Sequence, residues 1–209
     1  MNKTLVIVFV KNPKLGKVKT RLAKSIGNEA ALAVYSKLLK VTENAVKKLD
    51  TDVLIYFSEH IEEEAWHNFN KNIQHGKDLG ERMRNAFQQG FEDGYERIAL
   101  IGSDLPDISE NHIKQALHVL TQNEVVFGPA KDGGYYLIGL SKMHTSIFQN
   151  KPWSQPNLLS ETLKELHKNN TSFITLETLN DIDTYEDLIA SKLYQDNFKL
   201  QEKTKQLHD

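Results

Sequence analysis

Hydrophobic residues along the chain form short runs that alternate with amphipathic stretches. The run from Leu5 to Val10 is continuous and mostly β-branched, which is typical of a strand covered on both faces. From Asn28 to Leu49 apolar residues recur at helical spacing with lysines between them, so a helix is predicted there. Residues 53–57 have the composition of a second strand.

The same alternation continues towards the C-terminus. Further strands are predicted at 71–74, 97–101, 124–128, 135–140 and 172–176, and further helices at 61–69, 79–94, 109–120, 157–167 and 184–194. The segment 135–140 follows its predecessor too closely for a helical crossover, so one antiparallel strand is expected. The pattern predicts an α/β protein, with a layered fold around a mixed, mostly parallel sheet.

Length and composition predict one domain. The chain has 209 residues, of which 39% are hydrophobic, and this is enough for one sizeable core. We expect a single domain over residues 1–194. The polar extension over residues 195–209 is expected either to fray or to pack as a helix.

Net charge, hydrophobic segments and cysteine content argue against several classes of protein. The formal net charge of −2 gives no support for a nucleic-acid or membrane partner, and the apolar run near the N-terminus is too short to span a bilayer. The absence of cysteine removes disulfides, thiol catalysis and Cys-ligated zinc. We therefore expect a cytoplasmic protein without membrane insertion. A homodimer is the default expectation, because two-fold dimers are the commonest oligomers.

Basic residues are concentrated near the N-terminus, where no Asp or Glu precedes Glu29. The loop 11–21 lacks both the Walker A pattern and the Rossmann glycine pattern. Within it, Lys19 and Arg21 are suited to a diphosphate, since Arg binds two oxygens at once and Lys acts as a point charge. A solvated lysine-rich loop is the alternative, and the lack of acids favours the phosphate site.

Asp104 follows the predicted strand 97–101 in a turn bounded by Gly102 and Pro106. Open α/β sheets bind ligands beyond the carboxyl ends of their strands, and Mg²⁺ or Mn²⁺ needs only one or two carboxylates besides substrate phosphates. The alternative is that Asp104 caps the next helix, but Asp107 and Ser109 are better placed for that task. Asp104 is therefore predicted to bind a divalent metal ion.

Two further segments contain acidic residues. Asp183 is expected to cap the last predicted helix with Glu186, which leaves Asp181 as a second candidate metal ligand. Asp132 precedes two glycines, a pattern that predicts a hairpin turn and also lets a backbone approach a ligand. Asp132 is then a candidate general base in the cleft.

Several segments together resemble the nucleotide-diphospho-sugar transferase superfamily, with its GT-A type of Rossmann-like fold. They are FVKNPKLGKVKTRLA, DLGERM, GSDLP, GPAKDGGYYLIGL and DIDTYEDL, within roughly residues 4–190. In this order they are similar to the bacterial DUF2064 family of selenium- or arsenosugar-associated glycosyltransferases, whose relatives include molybdenum-cofactor nucleotidyltransferases and 2-phospholactate guanylyltransferase.

The resemblance implies a role for each matching segment. The first loop would bind the nucleotide phosphates, Asp104 the metal, and residues 74–80 would lie near the base, while Gly133 and Gly134 would line the sugar or acceptor side. The nucleotide-binding candidates are Lys11, Gly16, Lys19, Thr20, Arg21, Gln74 and Gly80.

Two departures from the wider superfamily affect the predicted reaction. Ser103-Asp104-Leu105 stands where glycosyltransferases commonly have Asp-x-Asp, and the first loop lacks the glycine-dense pattern of sugar nucleotidyltransferases. The second departure favours glycosyl transfer. The sequence therefore predicts a metal-assisted glycosyltransferase that moves a sugar from a nucleotide-sugar to a small hydroxyl-bearing acceptor. The alternatives are a nucleotidyltransferase that releases pyrophosphate and a non-catalytic nucleotide-binding module.

Overall fold

The computed structural model describes residues 3–205, and within them seven strands form one sheet. The strands are β1 (Thr4–Val10), β2 (Asp52–Phe57), β3 (Asn70–Ile73), β4 (Arg97–Ile101), β5 (Val125–Pro129), β6 (Tyr135–Leu140) and β7 (Phe173–Thr175). Their order is β3-β2-β1-β4-β6-β5-β7. Strand β6 is antiparallel to both its neighbours, and the other pairings in this sheet are parallel. The mixed, mostly parallel α/β sheet is confirmed.

Helices cover both faces of the sheet. They are α1 (Thr20–Val46), α2 (Leu79–Glu92), α3 (Glu110–Val119), α4 (Leu158–Lys168), α5 (Tyr185–Ala190), α6 (Lys192–Gln195) and α7 (Phe198–Lys205), with a 3₁₀ turn at Thr145–Phe148. One core contains side chains of β1, α1 and α3, and the other contains the alternate side chains of β1 with α2 and α4. This explains the unbroken hydrophobic run of β1, because both its faces are buried.

Three predicted helices differ from the observed ones. Residues 61–69 form turns instead of a helix, and Trp66 has a left-handed backbone (φ 55°) that interrupts helical geometry. Helix α1 begins well before residue 28 and is kinked at Gly27 (φ 78°). The last predicted helix is divided at Ser191, whose hydroxyl donates to Leu188 O and accepts from Tyr194 N.

The C-terminal segment returns to the body of the protein. Helix α7 contacts α1, and Leu200 is 2% exposed in a third core with residues of α1 and α5. The division at residue 194 stays a prediction, and residues 206–209 of the proposed extension lie outside the described residues, as do residues 1–2 of the proposed domain. None of the described helices is both long and apolar enough to cross a bilayer. The cytoplasmic location stays a prediction.

Candidate functional site

Two adjoining cavities lie at the carboxyl ends of β1 and β4. The first, which we call the cationic pocket, has a volume of about 450 Å³ and is lined by most of the first loop. The second, which we call the aromatic pocket, has a volume of about 290 Å³ and lies against β6 and the segment before α4. They share five residues: Phe9, Leu79, Gly102, Asp104 and Ser154. Asp104 therefore faces both spaces, at the position the strand-end rule predicts.

The cationic pocket brings together most of the predicted phosphate-binding residues. Its lining includes Lys11, Lys17, Lys19, Thr20, Arg21 and Gln74. Gly16 is not part of the lining, but its φ of 71° belongs to the turn closed by a hydrogen bond from Lys17 N to Lys14 O. Lys19 also has a left-handed backbone (φ 47°) immediately before α1. The loop therefore turns without a glycine-dense sequence.

Asn12 fixes this loop to the loop that follows β2, a role the sequence analysis did not identify. Its side chain is buried, donates to His60 O and Glu62 Oε1, and accepts from Glu59 N. Buried polar groups that are fully hydrogen-bonded stabilise one conformation of a loop. The available signal was an Asn two residues after the end of a strand and directly before a Pro.

Tyr35 supports the same loop from α1. Its hydroxyl accepts from Lys11 N at 2.9 Å, and it contacts Lys11 O and Ser103 Oγ, each at 3.1 Å. Burial raises the pKa of this phenol, so it stays neutral at physiological pH. The helical spacing predicted Tyr35 only as a core residue, because periodicity carries no information about what the hydroxyl contacts.

An acid cluster lies where the two pockets meet. Asp104, Asp181 and Asp183 each offer an oxygen within 4.8 Å of the others. The segment of Asp181 is held beside the turn after β5 by hydrogen bonds from Lys131 N to Leu179 O, and it is joined to Asp104 O by Ile182 N. The predicted pair Asp104 and Asp181 is therefore brought together.

Asp183 is also a member of this cluster, and its predicted role as a helix cap is wrong. Thr184 caps α5 instead, and Asp187 completes the capping box. The signal for Asp183 was its spacing from Asp181: in an extended segment residues two apart face the same side, while Ile182 between them is buried on the other.

Lys19 partly neutralises the acid cluster. Its Nζ lies 3.1 Å from Asp104 Oδ2 and 2.9 Å from Asp183 Oδ1, and its side chain is 5% exposed. Burial alone would lower the pKa of Lys19, but the two carboxylates outweigh burial and raise it. Asp181 makes no such ion pair within the described residues. Burial, together with the charges of Asp104 and Asp183, raises its pKa to about 7.

The donor set of the cluster suits a divalent cation. Mg²⁺ and Mn²⁺ prefer carboxylate oxygens, and three of these converge here beside a cationic pocket able to accommodate phosphates. These residues therefore fit the predicted divalent metal.

The aromatic pocket contains Gly134 of the two predicted acceptor-side glycines, together with Asp132. Phe9, Tyr135, Tyr136 and Trp153 supply its aromatic surface, and Asp132 and Gly134 its edge. Asp132 Oδ1 accepts from Gly134 N at 2.9 Å, which fixes the carboxylate over the turn.

Two predicted glycines act through packing and are not part of either lining. A Cβ atom at Gly80 would lie 2.4 Å from Trp153 Cζ2, and one at Gly133, whose φ is 90°, would lie 1.9 Å from Pro156 O. Gly80 thus lets the Trp153 ring pack closely against the start of α2. Gln74 lines the cationic pocket, but its side-chain amide donates to Val10 O and Tyr56 O at the ends of two strands.

The family assignment follows from comparison with known sequences. A family profile described as "Uncharacterized protein conserved in bacteria (DUF2064)" matches residues 41–155. The chain belongs to the DUF2064 family. A crystal structure from Desulfovibrio desulfuricans G20, provisionally assigned as a nucleotide-diphospho-sugar transferase, is 30% identical to this DUF2064 chain. It has a TM-score of 0.85, with 99% of this chain and 97% of the other covered. The predicted superfamily is confirmed.

Curated relatives of this DUF2064 protein catalyse nucleotidyl transfer. The 2-phospho-L-lactate guanylyltransferase of Methanocaldococcus vulcanius is 26% identical over 190 residues, which are 88% of this chain and 82% of the relative. The inositol-1-phosphate CTP transferase from T. maritima shares the fold, with a TM-score of 0.57 at 14% identity, covering 100% of this chain and 98% of the other. These matches support a transferase of the nucleotidyl or nucleotide-diphospho-sugar type.

The predicted glycosyl transfer is contradicted by these relatives. That prediction depended on the missing glycine-dense loop, and the structure shows why this signal failed in a DUF2064 chain. Gly16 and the left-handed Lys19 turn the loop around the cationic pocket, so a single glycine is enough.

Proposed function

We propose that the protein is a nucleotidyltransferase that joins the nucleoside monophosphate part of an NTP to the phosphate of a small acceptor and releases pyrophosphate. The observation that carries this proposal is the acid cluster at the junction of two pockets, one basic and one aromatic. This arrangement provides separate spaces for a triphosphate and for an acceptor. Kinship with guanylyltransferases favours the same reaction class.

In the proposed reaction an acceptor phosphate oxygen attacks the α-phosphorus of the NTP. The new P–O bond forms as the bond from the α-phosphorus to the bridging oxygen breaks, and pyrophosphate leaves with that electron pair. A phosphate monoester is already largely ionised near neutral pH, so no general base is needed. Asp132 is therefore better proposed as an acceptor-binding residue than as the base expected for a hydroxyl acceptor.

Positive charge in the cationic pocket is placed to stabilise the leaving pyrophosphate. Lys11, Lys19 and Arg21 line this pocket. The Arg21 side chain is 70% exposed, and its Nη1 lies 3.5 Å from Asp183 Oδ2, which leaves the other N–H groups of the guanidinium for phosphate oxygens. Charge stabilisation by such groups is usually a large contribution to phosphoryl-transfer rates. Thr20 and the turn at Gly16 would add loop contacts to the same phosphates.

A divalent ion held by Asp104, Asp181 and Asp183 would supply further electrostatic stabilisation of phosphate charge at the junction. Lys19 bonds two of these carboxylates and also lines the cationic pocket. It is therefore positioned to keep the cluster compact and to contact a phosphate. Gln74 would shape the end of the pocket near the base, while its amide holds two strand ends in place.

The test is pyrophosphate release from each of the four NTPs with a panel of phosphate monoesters, with Mg²⁺ or Mn²⁺. One NTP should give acceptor-dependent pyrophosphate, and Asp104→Asn should lower kcat/KM by about a hundredfold or more. The control is Asp107→Asn, which alters an exposed acid outside both pockets.

A second pair of variants tests the cationic pocket. Arg21→Gln should weaken NTP binding by roughly tenfold, because a charge-assisted bidentate contact is lost. Lys24→Gln removes an exposed positive charge from the same helix outside the pocket and should leave binding within about twofold. Nucleotide binding without pyrophosphate release under any condition would instead support the non-catalytic alternative.

A further inference from the structure

The aromatic pocket has an unusual charge distribution for a site that receives a phosphorylated molecule. Its acidic lining residues are Asp104, Asp132 and Asp181, and no Lys, Arg or His is part of its lining in the described chain. The basic residues of the site face the cationic pocket instead. A divalent ion held by the acid cluster would be a partner for the acceptor phosphate, but a second anion further into the pocket would have none.

Asp132 is the acidic lining residue of the aromatic pocket that lies outside the acid cluster. Asp104 and Asp183 bond Lys19, and a divalent ion at the cluster would offset the remaining charge there. Asp132 forms no ion pair within residues 3–205, and while Oδ1 accepts from Gly134 N, Oδ2 accepts no hydrogen bond from the described chain. One carboxylate oxygen is therefore available to a ligand at the edge of the pocket.

The turn that bears Asp132 is held rigidly. Gly133 lies against Pro156 so closely that no side chain would fit, and Leu159 N donates to Gly133 O at the start of α4. The hydrogen bond from Gly134 N positions the exposed Asp132 carboxylate over this turn at the edge of the pocket. A fixed, unpaired charge beside a cavity favours a complementary charge in the ligand.

Aromatic rings form the adjoining walls. Tyr135 is packed against Phe127 with ring centroids 5.1 Å apart, and Trp153 packs on Gly80. Both rings line the pocket and are held by these contacts. Ring faces attract cations, and aromatic surfaces next to a carboxylate are a recurrent way to bind amines and quaternary ammonium groups.

We propose that the acceptor carries an amine or a quaternary ammonium group at the end remote from its phosphate, bound by Asp132 and the rings of Tyr135 and Trp153. This inference rests on the proposed nucleotidyl transfer. It separates the protein from its guanylyltransferase relatives, because 2-phospho-L-lactate, the acceptor in their name, carries a carboxylate. A carboxylate would face Asp132 across a pocket without a basic side chain.

Three acceptor probes test this end of the acceptor, and the first two differ from each other in charge alone. Phosphocholine carries the cation, 3,3-dimethylbutyl phosphate replaces its nitrogen by carbon, and 2-phospho-L-lactate carries an anion. Binding is followed through Trp153 fluorescence in a Trp66→Phe background, which leaves one tryptophan, since the chain has two. Pyrophosphate release with each NTP is measured in parallel on the wild-type protein.

Phosphocholine should bind about tenfold or more tighter than its carbon analogue, and 2-phospho-L-lactate should bind weakest of the three. Asp132→Asn should reduce the preference for phosphocholine over the carbon analogue to within about threefold. The control Asp107→Asn should keep that preference. A general structural defect in Asp132→Asn would weaken all three probes together, so the ratio separates charge recognition from misfolding.

Each other outcome has a defined meaning. Equal binding of the three probes, tighter binding of 2-phospho-L-lactate, or no fluorescence response to any of them would overturn the inference. Pyrophosphate release from any acceptor would still uphold the proposed function. If phosphocholine binds preferentially but no NTP yields pyrophosphate, the inferred preference of the aromatic pocket for a cation would stand and nucleotidyl transfer would be refuted.

Discussion

In metal-free buffer, Asp181→Asn should become more stable relative to the wild-type protein as the pH is raised from 5 to 8. Burial, with the charges of Asp104 and Asp183, raises the pKa of Asp181 from its ordinary 3.8 to about 7. Between these values the folded state binds a proton that the unfolded state has lost. The contribution of Asp181 to stability is therefore complete below about pH 4 and is lost as the pH rises through about 7.

The interval between the two pKa values corresponds to at most about 4 kcal/mol, at 1.36 kcal/mol for each pH unit. Asp181 is only half-buried and Lys19 lies near, so solvent and this cation screen part of the repulsion. We expect the difference in unfolding free energy between Asp181→Asn and wild type to grow by about 1–2 kcal/mol from pH 5 to pH 8.

Urea unfolding at four pH values in EDTA measures this difference, and titrations common to both proteins cancel in it. Asp107→Asn, which removes an exposed carboxylate outside the cluster, is the matched control for the loss of one carboxylate. Excess Mn²⁺ should reverse the order at pH 8, because the wild type gains binding free energy from the ionised cluster. A difference for Asp181→Asn that is the same at pH 5 and pH 8 would refute the electrostatic argument.

Three further substitutions test how the site is held. Gly133→Ala should cost about 2–4 kcal/mol in urea unfolding, because its Cβ would collide with Pro156 O, whereas Gly94→Ala, also at positive φ but in open space, should cost only about 1 kcal/mol. Asn12→Ala should cost about 2–3 kcal/mol by leaving buried loop groups unpaired, and an unchanged urea midpoint would contradict that role. Tyr35→Phe should cost about 1 kcal/mol and speed proteolysis in the first loop, as limited trypsin digestion would show.

The sequence was most informative where a pattern has a single structural solution. The unbroken apolar run of β1 requires burial on both faces, and the short connection before β6 permits no parallel crossover, so the sheet could be predicted. The segment 61–69 has helical composition but is not a helix, because Lys71 bonds the backbone carbonyls of Glu62 and Glu63 and Trp66 is left-handed. Neither these hydrogen bonds nor the backbone conformation of Trp66 leaves a periodic signal in the sequence.

The candidate site was predictable in its location and less so in its chemistry. The strand-end rule located Asp104 correctly, whereas the role of Asp183 depended on whether Asp183 or Thr184 caps α5. The number of glycines in the first loop was a poor guide to the reaction, because Lys19 adopts a left-handed backbone conformation that is more typical of glycine. The role of Gly80 could not be read from the sequence, since it depends on a ring that is 73 residues away.

The acid cluster also has a consequence for the order of folding. Lys19 and Asp183 are separated by 164 positions, and Lys19 and Asp104 by 85, so the cluster joins the two ends of the chain. Contacts of such long range form late because they require loop closure over most of the chain. A partly folded chain in which β7 and the following residues are undocked would hold Asp104 without its two partners. Metal affinity would then distinguish the native state from a late folding intermediate. The rate at which refolding protein binds Mn²⁺ would report the last folding step.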